Sequence, residues 1–242
     1  LATACRDNLA RVFAIGDPSQ QSAPLFDPVA HQLYFDKPPA FLTDQILVTA
    51  ASWLIEWRDA TTGASLKEFP STKLTGQIMH LATSHDDQWL AAGTATNCEL
   101  WSSNGERTTL AHPHHVCDAA FSHEGELLTA CYDWHTYLRT SPTSSAAVLK
   151  IPQMQTADCC AFSTDAALIA VCDDKTVRVW KRPDANLVRL PAPGWVPAHW
   201  RPRLSFDRKW VTRGRWHAMP FTWNLNELSI LDTSTGHAVG PV

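Results

Sequence analysis

Residues 172–180 read CDDKTVRVW, and residues 5–13, near the opposite end of the chain, read CRDNLARVF. The two stretches share a cysteine, an aspartate, an Arg-Val pair and a closing aromatic residue, all at the same spacing. Such a recurrence indicates an internal repeat, in which each unit buries its apolar face against a neighbouring copy. The repeat therefore decides the fold before any single motif is interpreted.

The same unit recurs through the whole chain. A small residue that ends an apolar stretch marks each copy: Cys5, Ala51, Gly93, Cys131, Cys172 and Gly214. An aromatic residue follows most markers: Phe13, Trp57, Trp101, Trp180 and, as a candidate in the last copy, Trp223. A period of about 40 residues is typical of propeller repeats rather than of ankyrin or leucine-rich repeats.

Short apolar stretches within each copy have the length of β-strands. LATAC (1–5), LLTAC (127–131) and LIAVC (168–172) are each followed by a polar turn and a second run rich in β-branched or aromatic residues. Two such runs about a polar turn predict a β-hairpin. No window of helical length has a convincing helical period. We therefore predict an all-β chain with four short strands in each copy.

Several of these stretches resemble WD-repeat β-propeller units of the bacterial type: DDKTVRVW (173–180), AFS (120–122 and 161–163) and ATTG (60–63). The resemblance covers nearly the whole chain and implies four-stranded antiparallel blades arranged around a central channel. It predicts a single WD-repeat propeller domain over residues 1–242. Its blade registers are about 1–26, 27–70, 75–111, 112–152, 153–193 and 196–242.

The ends of the chain predict an incomplete ring. The first register starts at what should be a second strand, so it lacks its inner strand. The last residues either stop between blades, which we favour, or begin that missing strand and close the ring. Because the chain also starts without Met, we expect six blade registers cut from a longer protein, with a ring of seven or more blades as an alternative.

The resemblance also implies a hydrogen-bonded set of His, Ser or Thr, Asp and Trp in each blade. His112 takes the first role in its repeat, whereas Gln153 stands there in the next. The turn aspartates are Asp7, Asp133 and Asp174. Because no repeat has all four residues, we expect blades held mainly by packing, with a reduced buried polar network.

Composition narrows the function classes. The chain of 242 residues is 45% apolar, enough to bury most of its surface as one β-domain. A formal charge of −4 gives no basic stripe, so nucleic acid is not an expected partner. No run reaches the roughly 18 apolar residues that a membrane-spanning helix needs. With no visible signal peptide, we expect a cytoplasmic protein that does not contact membranes.

The seven cysteines are expected to be structural. Cys131 and Cys172 share a repeat position that requires a small buried residue, and free cysteine suits such a position. Cys159 and Cys160 are adjacent in a predicted strand, so they should face opposite sides. HPHHVC (112–117) gathers possible metal ligands, but a second zinc-type pair is missing, so a structural cluster is favoured. We predict no metal, no cofactor and no catalytic residue.

These patterns favour a non-catalytic protein–protein interaction scaffold or a sensor module, whose partner is another protein or another domain of its own chain. A sensor of this kind would belong to a signalling protein. The alternative is a propeller enzyme, a hydrolase or lyase with its site at the channel mouth. The predicted inner strands are mostly small and apolar and offer few convergent groups for such a site.

The candidate interaction residues lie in turns that are predicted to join the second and third strands: Trp53, Trp134, His135, Trp216 and His217. The resemblance places all such turns on one side of a propeller, where three tryptophans would form an aromatic rim. Tryptophan is enriched at binding hot spots. The alternative is that each ring folds back onto its own blade, since tryptophan is readily buried.

Overall fold

The computed structural model describes residues 2–4, 9–13, 29–30, 39–69, 72–153, 155–172, 177–181, 186–188, 210–219, 222–232 and 238–241. These residues form antiparallel strands in six sheets, with no helix among them. No helix long and apolar enough to cross a membrane therefore occurs within these ranges. The chain divides into two compact units, Leu1–Ala111 and His112–Val242.

The first unit contains three sheets, and in each the strands follow one another in chain order. The first sheet is β1 (Ala2–Ala4), β2 (Leu9–Val12) and β3 (Val29–Ala30). The second is β4 (Ala40–Phe41), β5 (Ile46–Ala51), β6 (Leu54–Asp59) and β7 (Thr72–Lys73). The third is β8 (Ile78–Thr83), β9 (Trp89–Thr94), β10 (Asn97–Ser102) and β11 (Arg107–Ala111).

The second unit also contains three sheets with sequential strand order. The fourth sheet is β12 (Val116–Phe121), β13 (Leu127–Cys131), β14 (His135–Arg139) and β15 (Leu149–Pro152). The fifth is β16 (Cys159–Phe162), β17 (Leu168–Cys172), β18 (Val177–Lys181) and β19 (Asn186–Val188). The sixth is β20 (Trp210–Met219), β21 (Thr222–Asp232) and β22 (Ala238–Pro241).

This architecture confirms the all-β prediction and the four-stranded antiparallel unit, which is complete in the second to fifth sheets. The first sheet has three described strands, and β3 pairs with β2 at Val29 and Ala30. The first sheet therefore extends past the boundary near residue 26 that the sequence indicated. The blade count of the propeller stays a prediction.

The sixth sheet differs from its predicted register. The sequence placed a strand end at Gly214, but β20 continues through Gly214 and Trp216 to Met219. Its long hairpin with β21 has a register shift between Arg215 and Trp216. Gly214 lies only two residues before Trp216, yet the strand passes through both residues. It ends at Met219, immediately before Pro220 in the sequence, and proline has no N–H to donate to a strand ladder.

Two of the recurrent aromatic residues, Trp57 and Trp101, pack together in the core of the first unit. Trp57 and Trp101 are 2% and 3% exposed, and their ring centroids are 6.1 Å apart in an edge-on contact. They lie at the same register position, opposite Val48 and Leu90 respectively. Because they come from adjacent sheets, the repeated aromatic residue joins one sheet to the next.

The second unit has a corresponding core between its fourth and fifth sheets. Trp180, opposite Ile169, packs against a buried cluster that includes Leu128 of the fourth sheet. Cys160 belongs to this cluster, whereas Cys159 packs on a different one with Cys172. The prediction that the two adjacent cysteines face opposite sides is therefore confirmed. The buried positions of Cys131 and Cys172 confirm the small-residue site as well.

The recurrent Phe-Ser dipeptide forms the hairpin turn after the first strand. Ser122 Oγ accepts a hydrogen bond from Glu126 N at 3.1 Å, and Ser163 Oγ accepts one from Leu168 N at 2.9 Å. The turns complete the reversal with a residue at positive φ, Gly125 in the fourth sheet and Ala166 in the fifth. The serine therefore stabilises the turn by accepting a hydrogen bond from a backbone N–H, which accounts for its recurrence at this position.

Candidate functional site

The turn between β13 and β14 exposes two large aromatic side chains. Tyr132 is 43% exposed and Trp134 is 58% exposed. Cys131 pairs with His135, so only three residues reverse the chain. Trp134 takes the left-handed conformation that this tight reversal requires, with a φ of 69°. Such a backbone is unfavourable for a bulky side chain, so the fold places Trp134 here against local preference.

Asp133 holds this turn from within. Its carboxylate accepts hydrogen bonds from His135 N at 3.2 Å and from the Tyr137 hydroxyl. His135 Nδ1 donates to the Asp133 carbonyl oxygen at 2.8 Å. Lys150 Nζ lies 4.0 Å from the carboxylate and 5.4 Å from the centre of the Tyr137 ring. The turn aspartate implied by the resemblance therefore fixes the loop that carries the exposed rings.

Burial, hydrogen bonds and nearby charges shift the pKa values of Asp133, Tyr137 and Cys131 away from neutral pH. Burial would raise the pKa of Asp133, but hydrogen bonds from Tyr137 and Cys131 and the charges of His135 and Lys150 outweigh it, so the pKa is lowered. Burial and the nearby carboxylate raise the pKa of Tyr137. Burial raises the pKa of the Cys131 thiol to about 11. At neutral pH Asp133 is ionised, and Tyr137 and Cys131 keep their protons.

Two histidines extend the exposed aromatic surface beside this turn. The rings of His114 and His115 stack with centroids 4.6 Å apart. The Tyr132 ring stacks on His114 at 5.7 Å and lies 5.9 Å from His115. Tyr132 N also donates to the His115 carbonyl at 2.8 Å. We call His114, His115, Tyr132 and Trp134 the aromatic cluster.

His112, the first histidine of HPHHVC (112–117), has a different role. His112 Nε2 lies 2.9 Å from Thr129 Oγ1, which is the His–Thr contact that the resemblance implied. Arg139 Nη1 lies 3.4 Å from both atoms, and Leu138 takes the register position that holds tryptophan in the neighbouring sheets. Among the described residues no group of three or more His, Cys, Asp and Glu side chains is arranged to hold a metal ion.

The polar interior of the fourth sheet keeps the His–Thr contact of the implied set and adds Arg139 and Tyr137 to it. His112 packs edge-on against Tyr137, whose hydroxyl donates to Asp133. In the next repeat Arg178 Nη1 donates to Gln153 Oε1 at 3.3 Å. Arginine supplies the donor in both places. Sequence reasoning missed this role, although Arg178 belongs to the Arg-Val pair of the repeat, because the pattern does not indicate its hydrogen-bond partner.

Trp53 occupies the equivalent turn of the second sheet. It is 42% exposed, and the positive φ of this turn falls on Ser52 at 51°. Leu74 N donates to the Trp53 carbonyl at 2.7 Å, and Gln153 N donates to the Trp134 carbonyl at 2.8 Å. In both sheets the donor is the first residue after the fourth strand. The two tryptophans therefore hold the same place in the repeat.

The remaining candidates are arranged differently. Trp216 and His217 lie within β20, opposite Leu225 and Asn224, so the turn predicted there is wrong. Their side chains lie outside the part of the chain whose side chains the structure describes. His135 is partly buried and faces Asp133. Of the three predicted residues whose side chains are described, Trp53 and Trp134 have exposed rings.

Sequence reasoning missed the contribution of Tyr132, His114 and His115 to this site. The available signal was the pattern of two aromatics about an aspartate in residues 132–134, with a second turn that carries adjacent histidines at 114–115. Their contact depends on the pairing of β12 with β13, in which Val116 lies opposite Cys131. The pairing brings the two turns to the same end of the sheet.

Comparison with known families identifies a repeat in the fifth sheet, next in chain order after the sheet that carries this site. The family described as WD domain, G-beta repeat matches residues 155–181, which contain β16 to β18. No curated protein matches the chain. The matched repeat and the four-stranded antiparallel sheets fit a WD-repeat family, whose sheets are the blades of a β-propeller. WD domains generally mediate interactions with other proteins, so the match supports a general protein-interaction module.

Proposed function

We propose that the protein is a non-catalytic interaction module, a scaffold or sensor whose WD-repeat blades present the aromatic cluster and Trp53 to another protein or to another domain of its own chain. The observation that carries this proposal is the repeated exposure of tryptophan at one position in two sheets. Tryptophan is highly buried on average. Two exposed tryptophans at equivalent turns are therefore unusual and indicate a role at the surface. Tryptophan is also among the residue types enriched at binding hot spots.

The rigidity of the turn supports a binding role. Asp133 is hydrogen-bonded to Tyr137 and His135, and the carbonyl of Trp134 is fixed by Gln153 N. A side chain held on an ordered backbone loses less conformational entropy when a partner binds. The left-handed φ of Trp134 adds a local cost that packing alone does not explain. Both features favour a surface that is organised before it meets its partner.

The pKa values at the turn do not favour proton transfer. A general acid or base works best when its pKa is close to the working pH. Here the pKa of Asp133 is lowered, and the pKa values of Tyr137 and Cys131 are raised. Asp133, Tyr137 and Cys131 therefore suit a structural hydrogen-bonding role better than proton transfer in an enzyme site. The proposal also includes a single propeller domain over the whole chain and a cytoplasmic location.

A crosslinking experiment tests the proposal. A photoreactive phenylalanine analogue is introduced in place of Trp134 and, as a control, in place of Glu124, which is exposed in the turn at the other end of the same sheet. The partner captured only from position 134 is identified and purified. Its binding to the Trp134→Ala variant is then measured by calorimetry.

The expected result is that Trp134→Ala weakens the complex by about 2 kcal/mol or more while the thermal midpoint hardly changes. The matched control is Val148→Ala, because Val148 is also 58% exposed and precedes β15 of the same sheet. If the Trp134→Ala variant binds the partner normally but unfolds at a temperature several degrees lower, the ring is a packing residue and the proposal is wrong.

A further inference from the structure

We propose that the aromatic cluster, together with Lys150, binds an acidic segment of the partner, with an apolar side chain of that segment against Trp134 and its carboxylates against the histidines and Lys150. This inference rests on the proposed function and specifies its ligand chemistry. It is carried by the juxtaposition of exposed ring faces with hydrogen-bond donors at one end of the fourth sheet.

The cluster offers flat apolar surfaces and polar ring atoms side by side. His114 and Tyr132 stack with an interplanar angle of 26°, and the His114–His115 pair has the same angle. Trp134 follows two residues after Tyr132 in the same turn and is the most exposed of the described tryptophans. Imidazole and phenol groups donate hydrogen bonds to carboxylates, and the ring faces accommodate an apolar side chain.

The charged side chains at this end of the sheet favour a negatively charged ligand. The Lys150 side chain is half exposed, whereas that of Asp133 is only 15% exposed and already accepts from Tyr137 and His135. The exposed groups are therefore donors and potential cations, while the carboxylate is engaged internally. A charge-assisted hydrogen bond to a carboxylate is about twice as strong as a neutral one. An acidic segment thus gains where a basic one would meet like charge.

Trp53 gives an internal contrast. The Nζ atom of Lys73 lies 5.6 Å from the centre of the Trp53 ring, so a cation from the same sheet already lies over that ring. In the fourth sheet Pro152 takes the register position of Lys73, and Lys150, two residues earlier in β15, lies over Tyr137, 5.4 Å from its ring centre. Lys150 therefore lies beside Asp133, in the turn that carries Trp134, with half of its side chain exposed.

The test uses a fluorescein-labelled heptapeptide with four glutamates around one phenylalanine, and two matched peptides in which glutamine or lysine replaces glutamate. Binding to the full chain is followed by fluorescence anisotropy. We expect the glutamate peptide to bind about tenfold more tightly than the glutamine peptide. Raising salt from about 0.05 M to about 0.5 M should weaken it by a similar factor.

Variants assign the effect to the cluster. Trp134→Ala should weaken binding of the glutamate peptide about tenfold or more. The double variant His114→Ala, His115→Ala should weaken the glutamate peptide more than the glutamine peptide, because it removes ring N–H donors to carboxylates. His123→Ala is the control, because His123 is exposed in the turn at the other end of the same sheet. Thermal midpoints of all variants establish that they are folded.

The opposing results are distinct. Equal affinity for the glutamate and glutamine peptides, tighter binding of the lysine peptide, or no binding of the glutamate peptide by the folded protein overturns the acidic-ligand inference. None of these outcomes affects the proposed function, because that depends on whether Trp134→Ala weakens the captured partner. If that substitution has no effect on the partner, the proposed function fails as well.

Discussion

Replacing Trp134 by glycine and by alanine separates backbone strain from loss of the ring. Both substitutions remove the same indole, so the loss of its covered surface cancels in the comparison. Alanine keeps the unfavourable left-handed backbone at a φ of 69°, which costs about 1–2 kcal/mol for a residue with a Cβ atom. Glycine avoids that cost but loses about 0.5–1 kcal/mol because its unfolded chain is more flexible.

The expected result is that Trp134→Gly is more stable than Trp134→Ala by about 0.5–1 kcal/mol. Urea unfolding followed by circular dichroism measures the difference, with equal denaturant slopes required for the comparison. Trp53 provides the matched control, because the positive φ of its turn falls on Ser52. There the order should reverse, with the alanine variant the more stable.

The reasoning is refuted if alanine equals or exceeds glycine in stability at position 134. The turn would then have an ordinary backbone, and the argument that Trp134 is presented against local preference would fail. If glycine proves more stable than the natural tryptophan as well, the ring contributes little to folding. That outcome would strengthen a binding role, since the exposed indole would then be retained at a cost in stability.

Substitutions at three further positions examine the packing of the core and the ionisation of one buried group. Cys172→Ala should cost about 1 kcal/mol or less and Cys172→Leu about 1–3 kcal/mol through overpacking, as measured by urea unfolding. Because folding raises the pKa of Cys131 from 9.0 to about 11, the stability linked to its thiol is complete below pH 9 and is lost as pH rises through about 11. Cys131→Ala should reduce this alkaline loss, and an unchanged pH profile would contradict the assignment. Asp118 accepts from Cys160 N at 2.9 Å across two sheets, so Asp118→Ala should cost about 1–3 kcal/mol, whereas Asp118→Asn, which keeps an acceptor oxygen, should cost less.

The repeat period predicted the elements that depend on local pattern and on packing between neighbours. Trp57 and Trp101 are found between adjacent sheets because a buried aromatic recurs at one register position. The small-residue site at Cys131 and Cys172 follows from the same logic, since a position fixed by repeat geometry accepts only residues of that size.

The features that sequence reasoning missed depend on turn length and on side-chain contacts between turns. The three-residue turn after Cys131 sets the conformation of Trp134, whereas the repeat pattern only placed a polar segment there. Stacking of Tyr132 on His114 requires two turns to meet, and nothing in either stretch alone indicates that contact. The turn predicted at Trp216 is wrong because the marker Gly214 lies inside the longer strand β20 and does not end a strand.

The distinct polar interiors of neighbouring repeats have a consequence for folding. Tandem units of similar sequence risk exchanging strands with one another, which leads to misassembly and domain swapping. In the fourth sheet the buried partners are His112, Thr129 and Arg139, whereas the fifth uses Gln153 and Arg178. A strand inserted into the wrong sheet would bury polar groups that have no matching partner, which is costly. The sequence divergence that makes these repeats hard to recognise therefore favours the pairing of each strand within its own sheet.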